Sequence, residues 1–127
     1  MNEVIELKKA TIEKVSPTIL VTRYKDGVEI LEADAKEIDA AHFDMSQGRD
    51  MFLMVDLTFG EATIKDEAEE YFVFKGKMIP YIKGIAIVSK HKSSFFNRLF
   101  GKQSKTLYPT KEFNTFEDAK DWLNKMH

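Results

Sequence analysis

Cysteine is absent from the 127 residues, which excludes disulfides, thiolate catalysis and cysteine-ligated metal sites. Apolar runs are all far shorter than the ~20 residues that a helix needs to cross a bilayer. The amino terminus carries acidic residues early and lacks a long apolar core, which argues against a signal peptide. We therefore expect a cytoplasmic protein.

Acidic residues are missing from one long stretch of the chain. From Tyr71 through Lys111 there is no Asp or Glu, but there are nine Lys or Arg. The net charge of the whole chain is nevertheless −2, so bulk electrostatics does not favour a polyanionic partner. The chain also lacks a recognition-helix or RNP-type signature, and we expect no nucleic-acid partner. Its glycines fit neither GxGxxG nor GxxxxGK[ST], so a nucleotide phosphate loop is not indicated.

Apolar periodicity predicts one α/β domain over residues 1–127, without linkers or repeats. We expect strands at 4–15, 18–24 and 28–30, the first two forming a hairpin. Strand–helix units follow, with helices at 32–45, 63–77 and 92–101, strands at 51–57, 85–88 and 106–108, and a C-terminal helix capped by Asn114. Such units imply parallel strands joined by right-handed crossovers. The predicted fold is a mixed, mostly parallel sheet with an N-terminal antiparallel hairpin, packed by about four helices.

Four strings of the chain carry a family resemblance: MFLMVDLTF (Met51–Phe59), IKDEAEEYF (Ile64–Phe72), IAIVSK (Ile85–Lys90) and YPTKEFNTFEDAKDWL (Tyr108–Leu123). They resemble the STAS-like domains, similar to bacterial anti-sigma-factor antagonists, and the branch grouped with CRAL-TRIO-type lipid-transfer folds. Regulatory members of that family carry a phosphorylatable serine at the start of the helix after the first of these strands. Asp66 is the nearest equivalent here. The resemblance thus implies a constant charge at the switch position, while the simpler interpretation is an ordinary N-cap.

Polar residues collect at the carboxyl ends of two predicted parallel strands, where open α/β sheets bind ligands. Asp56 and Thr58 lie at the end of one strand, and Ser89, Lys90 and His91 follow the next. A lone carboxylate in a buried strand is more commonly an anchor for a backbone group or a Lys. Without a second acid or a histidine in register, catalysis by Asp56, Thr58 and His91 is disfavoured.

The three histidines, His42, His91 and His127, show no metal-ligand spacing. His42 is interpreted as a partly buried helix residue. His91 is a weak candidate for a functional role at the edge of the sheet. We accordingly expect no enzyme activity, no metal and no cofactor.

The segment after the second strand is basic and rich in phenylalanine. Its apolar residues have helical spacing: Phe95, Phe96, Leu99 and Phe100. In the structural interpretation this helix buries the phenylalanines against the sheet and leaves a solvated basic rim. In the functional interpretation it docks on an anionic partner such as a membrane face, a lipid head group or an acidic protein.

The sequence as a whole predicts a non-enzymatic binding or regulatory module for a partner protein or a small amphipathic, lipophilic ligand. The candidate contact residues are Asp56, Thr58, Ser89, Lys90, His91, Lys92, Arg98 and Lys102. Peripheral association with an anionic membrane or lipid through helix 92–101 is the alternative, and a homodimer is left open. An enclosed apolar cavity would favour the lipophilic ligand, and a filled core would favour a protein partner.

Overall fold

Strands and helices alternate along the part of the chain that the computed structural model describes, residues 2–60, 62–90 and 108–126. The strands are β1 (Val4–Glu6), β2 (Ala10–Ser16), β3 (Ile19–Tyr24), β4 (Val28–Ile30), β5 (Met51–Asp56), β6 (Ala62–Ile64), β7 (Ile82–Val88) and β8 (Thr110–Phe113). The α-helices are α1 (Glu32–Ser46), α2 (Asp66–Glu70) and α3 (Phe116–Lys125). A π-helical segment (Tyr71–Lys75) continues α2, and a 3-10 turn (Ile79–Tyr81) leads into β7.

Six strands form one mixed sheet in the order β1-β2-β3-β5-β7-β8. The first three strands pair antiparallel, and β3, β5, β7 and β8 pair parallel. In the central register, Leu20 lies opposite Leu53, and Leu53 lies opposite Ile85. This arrangement confirms the predicted fold class, a mixed and mostly parallel α/β sheet with antiparallel N-terminal strands.

The two faces of the sheet carry separate apolar clusters, because successive residues of a strand point to opposite sides. The α1 face buries Leu20, Leu53 and Ile87 under α1, α2 and the π-helical segment. The α3 face buries Val21 and Met54 under α3, together with other apolar residues. Strands covered on both faces need continuous apolar runs, which accounts for the composition of β5 and β7.

Two short parallel strands, β4 and β6, form a second sheet that ties the starts of the two helices together. The Lys65 amide donates to the Ile30 carbonyl at 3.0 Å, so α1 and α2 begin side by side. Helix α1 ends where Gln47 and Gly48 adopt left-handed backbone angles, with φ of 52° and 75°. A glycine suits such a helix end because it has no Cβ to oppose positive φ.

Several predicted boundaries were wrong in detail. The strand expected at 4–15 is two strands, because Leu7 N donates to Ala10 O at 2.8 Å and closes a turn between β1 and β2. The helix expected at 63–77 begins only at Asp66, because residues 62–64 pair with β4. Residues 106 and 107 of the strand expected at 106–108 lie outside the described residues, and β8 begins at Thr110. The helix expected at 92–101 lies outside the described residues.

Candidate functional site

Asp56 and Thr58, both predicted as site residues, meet at the carboxyl edge of the sheet. Asp56 is the last residue of β5 and is only 3% exposed. Its Oδ1 accepts hydrogen bonds from the Thr58 amide at 2.9 Å and from the Thr58 hydroxyl at 2.6 Å. These bonds form a tight turn of the kind that aspartate side chains stabilise.

Arg23 supplies the countercharge for this buried carboxylate. Its Nε lies 3.5 Å from Asp56 Oδ2, and its Nη1 lies 2.9 Å from Glu13 Oε1. A hydrogen bond from Asn2, followed by the bond from Arg23, holds the pKa of Glu13 below its ordinary value. One guanidinium therefore pairs with two carboxylates, one on each of the strands that flank β3, namely β2 and β5. The fork geometry of the arginine side chain allows this.

Ser89 lies one position beyond β7 and is hydrogen-bonded to β8. Its hydroxyl donates to Glu112 Oε2 at 3.1 Å, and its amide donates to the Phe113 carbonyl at 3.0 Å. Lys90 is exposed at the end of the same strand. These two hydrogen bonds of Ser89 are both made to β8. The other predicted contact residues, His91, Lys92, Arg98 and Lys102, lie outside the described residues.

Asp66 is the first residue of α2 and is exposed. Lys65 occupies the N-cap position, so Asp66 lies one residue inside the helix and is not its N-cap. Its charge stands in the first turn together with those of Glu67 and Glu69, where acidic side chains interact favourably with the helix dipole.

The turn after β5 displays an aromatic side chain that the sequence analysis did not single out. Phe59 is 75% exposed, although its neighbours are firmly held. The Leu57 amide donates to the Val88 carbonyl at 2.8 Å, and Thr58 is bonded to Asp56. Gly60 lies so close to Asp26 that an added Cβ would be 2.6 Å from the Asp26 Cα. The only feature of the sequence that could have indicated this exposure is a large apolar residue directly before a glycine.

A second candidate site is a cavity of about 50 Å³ on the α1 face, between the sheet and the π-helical segment. Apolar side chains from β5, β7 and the segment line most of it: Leu53, Val55, Ile82, Ile85, Phe72 and Val73. Four polar side chains also line it: Tyr24, Asp39, His42 and Tyr108. The sequence analysis interpreted His42 as a partly buried helix residue, and it did not single out Asp39.

Asp39 is 4% exposed and closes the turn after the π-helical segment. Its Oδ2 accepts from the Lys77 amide at 2.7 Å, and its Oδ1 accepts from the Met78 amide at 3.1 Å. The Tyr71 side chain is also hydrogen-bonded to it, and desolvation together with this carboxylate raises the pKa of Tyr71. A Cβ added at Gly76 would lie 2.6 Å from Asp39 Oδ1, so a larger residue there would have to displace this carboxylate.

His42 is buried one helical turn after Asp39. Its Nε2 lies 2.7 Å from the Thr22 hydroxyl on β3. Burial lowers the pKa of His42 to about 4, so the imidazole is neutral at pH 7. Burial also raises the pKa of Tyr24, and it raises the pKa of Tyr108 to about 12. Among the described polar side chains around the cavity, those of His42, Tyr24 and Tyr108 are therefore uncharged at neutral pH.

Two kinds of site are not found in the part of the chain that the structure describes. No group of three or more His, Cys, Asp or Glu side chains there could hold a metal ion. Among the same residues, no helix combines the length and apolar character needed to span a membrane.

Comparison with solved structures confirms the fold. The chain is similar to an uncharacterised protein of the DUF3478 family with a SpoIIAA-like fold from Shewanella loihica PV-4, at 14% identity and a TM-score of 0.60. The alignment covers 97% of this chain and 92% of the other. The expected STAS-like resemblance is thereby confirmed at the level of fold.

Comparisons of sequence give a family but no closer relative with a described role. No curated protein matches the chain. A family model, the Domain of unknown function (DUF7793), matches residues 14–127, which is most of the chain. The chain therefore belongs to the DUF7793 family and has a SpoIIAA-like, STAS-like fold.

Proposed function

We propose that this protein is a non-enzymatic binding module whose partner is another protein, contacted through the turn that displays Phe59. One observation carries the proposal: the side chain is 75% exposed on a backbone anchored from both sides. Interfaces owe most of their affinity to a few such residues, with aromatic side chains prominent among them.

The anchoring of the turn supports the proposal energetically. Complete burial of a phenylalanine side chain contributes about 2 kcal/mol. A flexible loop would lose much of that gain in ordering itself on association, whereas a pre-formed turn does not. The bonds of Thr58 to Asp56, and the contact of Gly60 with Asp26, fix the turn before any partner arrives.

The resemblance to anti-sigma-factor antagonists also favours a protein partner over the alternatives from the sequence. The size of the cavity, about 50 Å³, is well below the 300–1,000 Å³ typical of pockets for drug-sized ligands. The membrane alternative rests on residues 92–101, which lie outside the described residues. Against catalysis, the oxygens of Asp56 are engaged by Thr58 and Arg23.

The proposal is tested by affinity purification from the protein's own host with matched variants. We compare wild type, Phe59→Ser and Phe74→Ser, because Phe74 is also exposed, at 63%, but lies on the π-helical segment. We expect at least one protein to co-purify with wild type and Phe74→Ser and to be lost with Phe59→Ser. With that protein purified, Phe59→Ser should weaken binding about 10-fold or more.

Two results would contradict the proposal. One is that the set of co-purifying proteins is the same for wild type and Phe59→Ser. The other is that Phe74→Ser loses the partner while Phe59→Ser retains it, which would move the contact to the helical face.

A further inference from the structure

The cavity on the α1 face has the chemistry of a binding site that is separate from the Phe59 turn. We propose that it binds a small neutral molecule with an apolar body and one hydrogen-bonding group. The apolar body would lie between β5 and the π-helical segment, against side chains such as Leu53, Val55 and Val73. The polar group would lie beside the polar side chains that line the same cavity, among them His42.

The charges of the described residues around the cavity disfavour an anionic ligand. Among the described residues, neither lysine nor arginine lines it, so none of them would supply a countercharge to a carboxylate or phosphate. Asp39 is itself a carboxylate and would repel an anion. Its oxygens already accept from two backbone amides, and Tyr71 is bonded to it as well. A cationic ligand would therefore compete with bonds that hold the turn at Lys77 and Met78.

The volume sets the size of the ligand. A single water needs about 10–15 Å³ of such space, so about 50 Å³ admits only a few atoms between the resting walls. Even a cavity of about 150 Å³ is filled by benzene. A short alcohol fits between the resting walls, and a small phenol enters only when a wall moves outward. A lipid acyl chain is too large.

One wall of the cavity is built to adjust. The π-helical segment contains no fully buried side chain, whereas α1 contains seven buried residues. Phe72 and Val73 are only half-buried over the cavity, and Phe74 points to solvent. A displacement of this segment costs less burial than a displacement of α1. Single-turn π-bulges are also frequent at functional sites in other proteins.

The test uses p-cresol as the neutral probe and benzoate as the anionic probe of similar size. A phenol, like tyrosine, has a pKa near 10 and is neutral at pH 7, whereas benzoate is charged. Methyl NMR spectra of the wild-type protein report on Leu53, Val55, Met78 and Ile85 during titration. We expect p-cresol to shift these signals with a dissociation constant of about 1 mM or lower. Benzoate should leave them unchanged.

A blocking variant and a matched control complete the test. Val73→Phe adds volume from the adjustable wall and should weaken p-cresol binding about 10-fold or more. Val15→Phe adds the same volume on the α3 face, where Val15 is also half-buried, and should bind as wild type does. Amide spectra of both variants show whether they are folded.

Three results would overturn the proposal, and all come from wild-type protein, so a misfolded variant cannot obscure them. They are the absence of a saturable shift at the four methyl-bearing residues, equal binding of benzoate, and shifts confined to the surroundings of Phe59 or Phe74. The proposal does not depend on the protein partner, because Phe59→Ser leaves the cavity intact and should bind p-cresol normally.

Discussion

Replacement of His42 by glutamine tests how a buried imidazole couples the stability of this fold to pH. The pKa of His42 is about 4 in the folded protein, below its ordinary value of 6.5. The unfolded chain therefore binds the proton more tightly than the folded protein does. The stabilisation is fully present above pH 6.5, and it is lost as the pH falls from 6.5 to about 4.

The size of the effect follows from the same two values. A depression from 6.5 to about 4 corresponds to about 3 kcal/mol, at about 1.4 kcal/mol for each pKa unit. The His42→Gln variant retains an amide that can bond the Thr22 hydroxyl but cannot take up a proton in this range. Between pH 7 and pH 4, wild type should therefore lose about 3 kcal/mol more of its free energy of unfolding than the variant does.

Urea unfolding of both proteins at pH 7, 6, 5 and 4 measures this difference directly. Carboxylates common to both proteins contribute equally and cancel in the comparison. Parallel pH dependence of wild type and His42→Gln would refute the reasoning. So would an NMR titration in which the imidazole of His42 takes up its proton near pH 6.5 in the folded protein.

The remaining predictions concern two local structures. Gly76→Ala should cost about 2 kcal/mol of unfolding free energy in urea, because its Cβ would displace the carboxylate of Asp39 from two backbone amides. The cost should shrink in an Asp39→Ala background, and equal costs in the two backgrounds would contradict the explanation. Thr115→Ala should cost about 1 kcal/mol, because its hydroxyl accepts from the Asp118 amide at 3.1 Å. The sequence predicted Asn114 as the N-cap, but Thr115 takes that position in the structure. Asn114→Ala should therefore cost less than about 0.5 kcal/mol, and a larger cost for Asn114→Ala than for Thr115→Ala would contradict this assignment.

The fold could be predicted well where a pattern extends over many residues. Continuous apolar runs indicated the strands that became β5 and β7, since both faces of the sheet are covered. Short elements were harder to predict. The three residues of β6 are stabilised as a strand by pairing with β4, and nothing within so short a segment distinguishes it from the start of a helix.

The candidate sites depended on contacts between distant parts of the chain. The sequence showed that Asp56 requires a partner, but Arg23 lies on another strand and is found only through the register of β3 with β5. Asp39 resembled the exposed acids of α1, because its burial depends on the amides of Lys77 and Met78. Phe59 is exposed because of the conformation of its turn. The hydrophobic periodicity of the sequence does not predict that conformation.

The ion pair between Arg23 on β3 and Asp56 at the end of β5 determines how these two strands align. Residues 51–55 are apolar at every position, so a slip of one residue would still bury apolar side chains on both faces of the sheet. The same slip would carry Asp56 to the α1 face, away from Arg23, and would leave a buried carboxylate without its countercharge. Such a loss costs several kcal/mol. The ion pair thus specifies a strand alignment that the apolar residues alone would leave ambiguous.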